Sequence, residues 1–377
     1  MTKMISRPSY RSAAVLGASC VLTLLAVWLA RPIGAQGQSA AAEFNDSHFH
    51  LTNYIQQGIT PRDFLKIMGN RVPRSTLFGI PLQQQWSYAN SGDFAPTYYL
   101  HSDAPLYYYS FTDAYIASVY RALSKEEQAR FDPMITGFNP ADMYAADHIR
   151  RVLTTFPGVF TGIGEFTIHK EFVSAKIAGE TASLTDPALA RILDFAGQVG
   201  LVVILHNDID MPFGKPDTAP VYLTQMKDLL RRHSKNRIIW AHVGLGRIVH
   251  PVRVSEGAAL RPPTLFEIVE GIVSDPAYNH VSFDISWDEV AKYAIETPQS
   301  IERVVTMLNK HSDRFLFGTD TVAPAGAAAY FAVFDLWEPI WPRLTPDASL
   351  KVRKGNYERI FDEGRRRVRA WEAANAR

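Results

Sequence analysis

Leu201-Val202-Val203-Ile204-Leu205 is an unbroken apolar run that stops at His206. Apolar side chains on both parities suit a strand covered on both faces, as in a parallel sheet packed between helices. The flanks agree. Asp186 to Val199 precedes the run with Leu189, Ile192, Leu193 and Ala196 at helical spacing, and a second helical stretch, Val221 to His233, follows it. Then comes another apolar run, Arg237 to Ala241, again ending at a histidine, His242. Working outward, the same rhythm gives candidate strands at Phe44 to His50, Ser75 to Leu82, Pro133 to Phe138, Val159 to Phe166, His280 to Ile285 and Arg314 to Phe317. Helical patterns at Ala141 to Phe156 and Ile301 to Lys310 fall between them. Eight strands alternating with helices imply an α/β fold with parallel crossovers, and eight strands close a (β/α)8 TIM barrel. An open, doubly wound sheet is the rival architecture.

Two segments exceed ordinary loops. Gln83 to Asp113, after strand two, carries Trp86, Tyr88, Phe94, Tyr98, Tyr99, Tyr107, Tyr108, Tyr109 and Phe111. This aromatic-rich insertion reads either as a self-packed excursion or as a wall of the site, since barrel enzymes build their sites from the loops after the strands. Met211 to Pro220, with three prolines, is the other.

The polar residues fall at strand ends. His48 and His50 end strand one, Glu165 ends strand four, His206 and His242 follow strands five and six, and Asp320 closes strand eight. In a barrel all strand C-termini share one face, so these six side chains converge there. Spacing of two puts His48 and His50 on the same side of their strand. A lone histidine at a strand end is commonly a hydrogen-bonded structural residue. Four of 11 histidines together with two acids at such positions is a different matter. Imidazoles and carboxylates without sulfur suit zinc, and also manganese, iron or nickel, with one or two ions per chain. Such an ion lowers the pKa of bound water towards ~7, and Asp320 is placed to be both ligand and proton acceptor.

The bulk composition narrows the class. The chain has 377 residues, 47% of them hydrophobic, with Lys plus Arg 39 against Asp plus Glu 38. A net charge of +1 offers no field to attract nucleic acid. Residues 1–42 read as a signal peptide: Lys3, Arg7 and Arg11, then the apolar stretch Ala13 to Ala30, then the small residues Ser39-Ala40-Ala41-Ala42. The alternative is an uncleaved anchor, because the stretch nearly reaches the ~20 residues a membrane helix needs. The barrel domain then spans residues 43–377. Cys20, the one cysteine, lies in the leader, which leaves the rest without a disulfide or thiolate ligand. Together these features imply an exported, periplasmic protein. The run Arg365-Arg366-Arg367 in a C-terminal helix reads as a solvated face.

With these residues in hand, the chain resembles the amidohydrolase superfamily, and within it the amidohydrolase-related group that includes aminocarboxymuconate-semialdehyde decarboxylase. The resemblance runs from Asn45 to Phe361. Asp46-Ser47-His48-Phe49-His50 resembles the strand-one motif, Trp240-Ala241-His242-Val243-Gly244 strand six, Phe283-Asp284-Ile285-Ser286 strand seven and Leu316-Phe317-Gly318-Thr319-Asp320 strand eight. Lys354 to Phe361 is similar to the closing helix of the group. The resemblance implies that His48, His50, His206 and Asp320 bind a metal, and that His242 holds a second ion or polarises substrate. Many two-metal members bridge their ions with a carboxylated lysine on strand four. This chain has Glu165 there, as TatD-like nucleases and phosphotriesterase-like proteins do. Lys170 comes five residues later, too late to replace Glu165.

Three functions compete. The first is a metal-dependent hydrolase in which a metal-bound hydroxide cleaves an amide, ester or lactone of a small and partly aromatic molecule, with Asp320 moving the proton and His242 stabilising oxyanion charge. The second is a non-redox decarboxylase of an unsaturated or aromatic acid, with Arg247 a candidate cation for the substrate carboxylate. The third is a binding barrel without catalysis, which predicts a damaged ligand set. Glu165 and the export signal favour hydrolysis. The partner is a small molecule, a membrane is involved only if the leader stays uncleaved, and a homo-oligomer is compatible with everything above.

Overall fold

The computed structural model describes residues 42–52, 58–80, 109–170, 182–211, 219–246 and 264–375. The expected leader lies outside them but for its last residue. So do Gln83 to Tyr108 of the aromatic insertion and Arg247. Nine strands are described: β1 Phe49–His50, β2 Ser75–Leu77, β3 Phe131–Ile135, β4 Gly162–Thr167, β5 Val202–His206, β6 Arg237–Trp240, β7 Val281–Asp284, β8 Phe315–Leu316 and β9 Thr321–Val322. The first eight overlap the eight stretches read from sequence. The short β9 has no periodicity of its own to announce it.

Strands β2 to β8 form one parallel sheet in chain order, so each strand lies beside its sequence neighbours. The segment at residues 46–51 joins its two edges. On one side Thr76 N donates to Asp46 O at 2.9 Å and Leu51 N to Phe78 O at 2.7 Å. On the other, Ser47 N donates to Phe317 O at 3.2 Å and Asp320 N to His48 O at 2.8 Å, and β1 pairs with β9. The result is a curled, TIM-barrel-like α/β architecture. Among the described residues no helix is long and apolar enough to cross a membrane.

Local chemistry sets the helix ends. In the helix Pro187–Val199, Asp186 accepts from Ala188 N, Pro187 starts the first turn and Gly200 ends it with φ 87°. Pro298–Lys310 begins earlier than periodicity suggests, because Thr297 and Ser300 form a capping box ahead of Pro298.

Two apolar sets follow from strand alternation. Val203, Leu205, Ile238, Trp240, Val281 and Phe283 face the helices, while Val202, Ile204, Ile239 and Leu316 pack inside the sheet against Phe78 and Met134. Tyr357, Ile360 and Phe361, from the C-terminal helix Asn356–Asn375, belong to the inner set. Beside them Asp132, on β3, is fully buried and takes Arg74 at 2.8 Å, Arg365 at 2.6 Å and the Tyr357 hydroxyl at 2.7 Å. The triple-arginine run is therefore not one solvated face. Arg366 is exposed, but Arg365 pairs inward with Asp132 and Arg367 lies against Gly200.

Candidate metal centre

Inside β5 the inward side chains are Val202 and Ile204, and the same parity brings His206 inward at the strand end. His48 and His50 share one parity around the outward Phe49. The other three residues reach the centre by breaking alternation. In β4, Ile163 and Phe166 face outward, and a register shift between them turns Glu165 inward. In β6, Ala241 is inward, and His242 points back to the same side because its backbone is left-handed, φ 54°. Asp320 has φ 53°. Positive φ at His242, Val243, Trp287, Asp320 and Ala323 concentrates backbone strain at this end of the strands, where a functional site can hold it. The close approach of β8 to β1 needs Gly318, whose Cβ would lie 2.8 Å from His48 Cβ.

The structure brings all six sequence-selected residues together. Asp320 Oδ1 stands 3.2 Å from His50 Nε2 and 3.4 Å from His48 Nε2. Glu165 Oε2 lies 3.3 Å from His50 Nε2, while its Oε1 lies 2.6 Å from His206 Nδ1 and 3.4 Å from His242 Nε2. Ligand-capable atoms of His48, His50, Glu165 and Asp320 fall within 4.8 Å of one another, and so do those of Glu165, His206 and His242. Glu165 belongs to both of these groups, and a third joins His48, His242 and Asp284. The Asp320 side chain is 13% exposed and the other five are at most 2% exposed, so Asp320 marks the open side.

The ring nitrogens show what the centre fits. His50 Nδ1 donates to Gly79 O at 3.2 Å, and His48 Nδ1 donates to Asp284 Oδ2 at 3.0 Å. The Ser286 hydroxyl donates to Asp284 Oδ1, so its oxygen is free to accept from His242 Nδ1 at 2.8 Å. This network assigns the proton of each ring to Nδ1 and leaves three Nε2 lone pairs facing two carboxylates. The Nε2 atoms of His48 and His242 are buried without a hydrogen-bond partner. Lone pairs and carboxylates facing one another in a dry pocket repel unless a cation or added protons lie between them. An N,O donor set with each Nδ1 tied down fits a divalent metal. Protons are the substitute. Burial alone lowers the pKa of His48, but Asp284, Glu165 and Asp320 carry it well above the usual imidazole value; Asp320 and Glu165 likewise raise His50 against burial. His242 stays below the usual value because burial prevails. Asp320 is held far below the ordinary carboxylate range: His242, His50 and His48 outweigh the burial that would raise it.

Two groups around the centre were not read from sequence as site residues. Asp284 is fully buried and serves both His48 and the backbone N of His242, at 2.8 Å. The alternation Val281/Phe283/Ile285 against Ser282/Asp284/Ser286 was the signal that this acid faces inward. Asp208 holds His206 Nε2 at 3.0 Å.

A family model described as Amidohydrolase matches residues 46–362. Among solved structures, an amidohydrolase from Burkholderia multivorans with bound zinc is similar at 15% identity and TM-score 0.52, covering 85% of this chain and 99% of that one. A 2,6-dihydroxybenzoate decarboxylase from Rhizobium is similar at 13% identity and TM-score 0.51, covering 85% and 99%. A candidate 2-pyrone-4,6-dicarboxylic acid hydrolase from Pseudomonas putida stands at 12% identity and TM-score 0.50, covering 85% and 98%. None of the curated proteins matches the chain. Likeness at this level carries the fold and leaves the reaction to the site.

Proposed function

The chain belongs to the amidohydrolase family, and from that premise we propose that it is a metal-dependent hydrolase of an amide, ester or lactone bond in a small molecule. The carrying observation is Asp320: a carboxylate within reach of two Nε2 atoms, and the one member of the six-residue centre open to the cavity. Hydrolysis needs a base of this kind where water arrives.

The residues that would hold the ion are His48, His50, Asp320 and Glu165, with His206 and His242 on the other side of Glu165. Zinc is the first candidate, with manganese, iron or nickel also suited to N and O donors. When bound, such an ion supplies Lewis acidity for a carbonyl and a lower pKa for water. Asp320 takes the proton of the attacking water as its oxygen bonds the carbonyl carbon. It then hands that proton to the departing nitrogen or oxygen as the scissile bond breaks. His242, fixed by Ser286 and Asp284, turns its Nε2 lone pair to the centre, where it would help hold an ion that draws the negative charge developing on the substrate oxygen.

A cavity of about 350 Å³ reaches Asp320, walled by Trp287, Ala329, Ala332, Val333 and Leu336, and suits an apolar part of the substrate. A larger cavity, about 700 Å³, is lined by Thr264, Phe266, Arg303 and their neighbours and holds none of the centre. The deciding experiment joins metal analysis of the purified protein to a screen of lactones, esters, amides and carboxylic acids. Metal-dependent release of acid from an ester, lactone or amide supports the reading, whereas release of carbon dioxide from an aromatic or unsaturated acid would replace it with decarboxylation. Export is part of the same reading. The mature N-terminus is expected between Gln36 and Glu43, and N-terminal sequencing from the native host tests it; an intact leader in a membrane fraction would favour the anchor.

A further inference from the structure

Lys170 is 6% exposed, and its ammonium lies 3.8 Å from Glu165 Oε1. The chain bends after β4, with Ile168 N donating to His206 O at 3.0 Å and Asp208 N to His169 O at 2.7 Å. That bend returns a side chain five residues downstream to the carboxylate it seemed to have passed. Glu165 divides the centre. Its Oε2 faces His50 at 3.3 Å and His48 at 3.8 Å; its Oε1 faces His206, His242 and Lys170. The ammonium's given contact with Glu165 is thus to the oxygen that faces His206 and His242.

We propose that Lys170 is the resident cation of the Glu165–His206–His242 cluster and competes there with a second divalent ion, so that this residue sets how tightly the centre takes a second metal. The inference rests on the metal-dependent reading above. A lysine is rarely buried unless its charge is paired, and here one of its partners is an oxygen that a second ion would need. A dication at Oε1 would repel the nearby ammonium in a poorly solvated pocket and would also divert the carboxylate that compensates it. A first ion held by His48, His50 and Asp320 would have the Asp320 carboxylate beside that of Glu165 to balance its charge.

The test uses the full chain, freed of metal with a chelator, then titrated with Zn²⁺ by equilibrium dialysis with elemental analysis and by calorimetry. Lys170→Met keeps the length of the side chain and removes the charge; Lys170→Gln is a second neutral variant should the first fold poorly; Lys170→Arg keeps the charge. Both neutral variants are expected to bind a second ion at least tenfold more tightly than wild type, with the first-ion affinity within a few-fold, while Lys170→Arg stays near wild type. Second-ion affinity unchanged in the folded neutral variants, or raised equally in Lys170→Arg, overturns the inference and leaves the metal-dependent reading standing. No zinc bound by wild type or any variant overturns that reading, and the inference with it.

Discussion

Asp284 Oδ2 accepts the Nδ1 proton of His48 at 3.0 Å, with both side chains wholly buried, and its other oxygen anchors the backbone N of His242. One carboxylate thus orients two neighbouring imidazoles, whose ring centroids are 4.8 Å apart and which come from different strands. Asp284→Asn keeps the size and loses the charge that fixes the His48 tautomer. Zinc affinity, measured by competition with a chromogenic chelator, is expected to fall 10- to 100-fold, the usual cost of losing such a support. An affinity equal to wild type would mean that Asp284 does not orient His48 for metal.

His48→Ala and Asp320→Asn act on the donor atoms themselves. Either substitution is expected to leave purified protein without bound metal and without turnover, while circular dichroism at room temperature stays native. Elemental analysis settles it: full metal content and full activity in either variant would refute this donor set.

How much of this was legible depends on parity. His48, His50 and His206 follow their strands' alternation, so spacing alone located them and the side they face. Glu165, His242 and Asp320 could be located as strand-end polar residues, but a register shift and two left-handed backbone conformations decide where they point, and no periodicity encodes those. Asp284 is readable as inward-facing from the alternation of β7, but it lies inside the stretch His280 to Ile285 and not at its end, where site residues were sought. Lys170 depends on a bend after β4, which separation along the chain conceals. Arg365 shows the same limit. Its charge suggested water, whereas the fold supplies the buried Asp132.

The Asp132 knot gives a stability prediction remote from the chemistry. Tyr357→Phe removes one hydrogen bond, 2.7 Å long, to a buried carboxylate still held by Arg74 and Arg365. A loss of about 1–3 kcal/mol is expected in urea unfolding. Asp132→Ala removes the carboxylate that Arg74 and Arg365 share, leaving Arg74 its exposed partner Asp362, and is expected to cost more than Tyr357→Phe in the same assay. Zinc affinity should not change in the folded Tyr357→Phe protein. A drop there would show that the knot and the metal centre are coupled.

His169 gives the pH prediction. Its ring stacks on Tyr222 with centroids 3.9 Å apart and planes 6° from parallel. Burial pushes its pKa down to about 4, and the charge of Asp208 recovers only part of the shift. Its folded value lies below the usual 6.5, so the unfolded chain takes up the proton first as pH falls. The stabilisation from holding this ring neutral is complete above pH 6.5 and is lost as pH falls towards 4. By pH 5 the expected loss is about 2 kcal/mol, at 1.36 kcal/mol per pKa unit. His169→Phe preserves the stack and cannot protonate. Urea unfolding of both proteins at pH 7 and pH 5 isolates the effect, because every other titrating group is shared. Wild type should lose about 2 kcal/mol more than the variant over that interval. Equal losses would mean that His169 titrates alike in the folded and unfolded chain, and that its burial against Tyr222 does not exclude the proton.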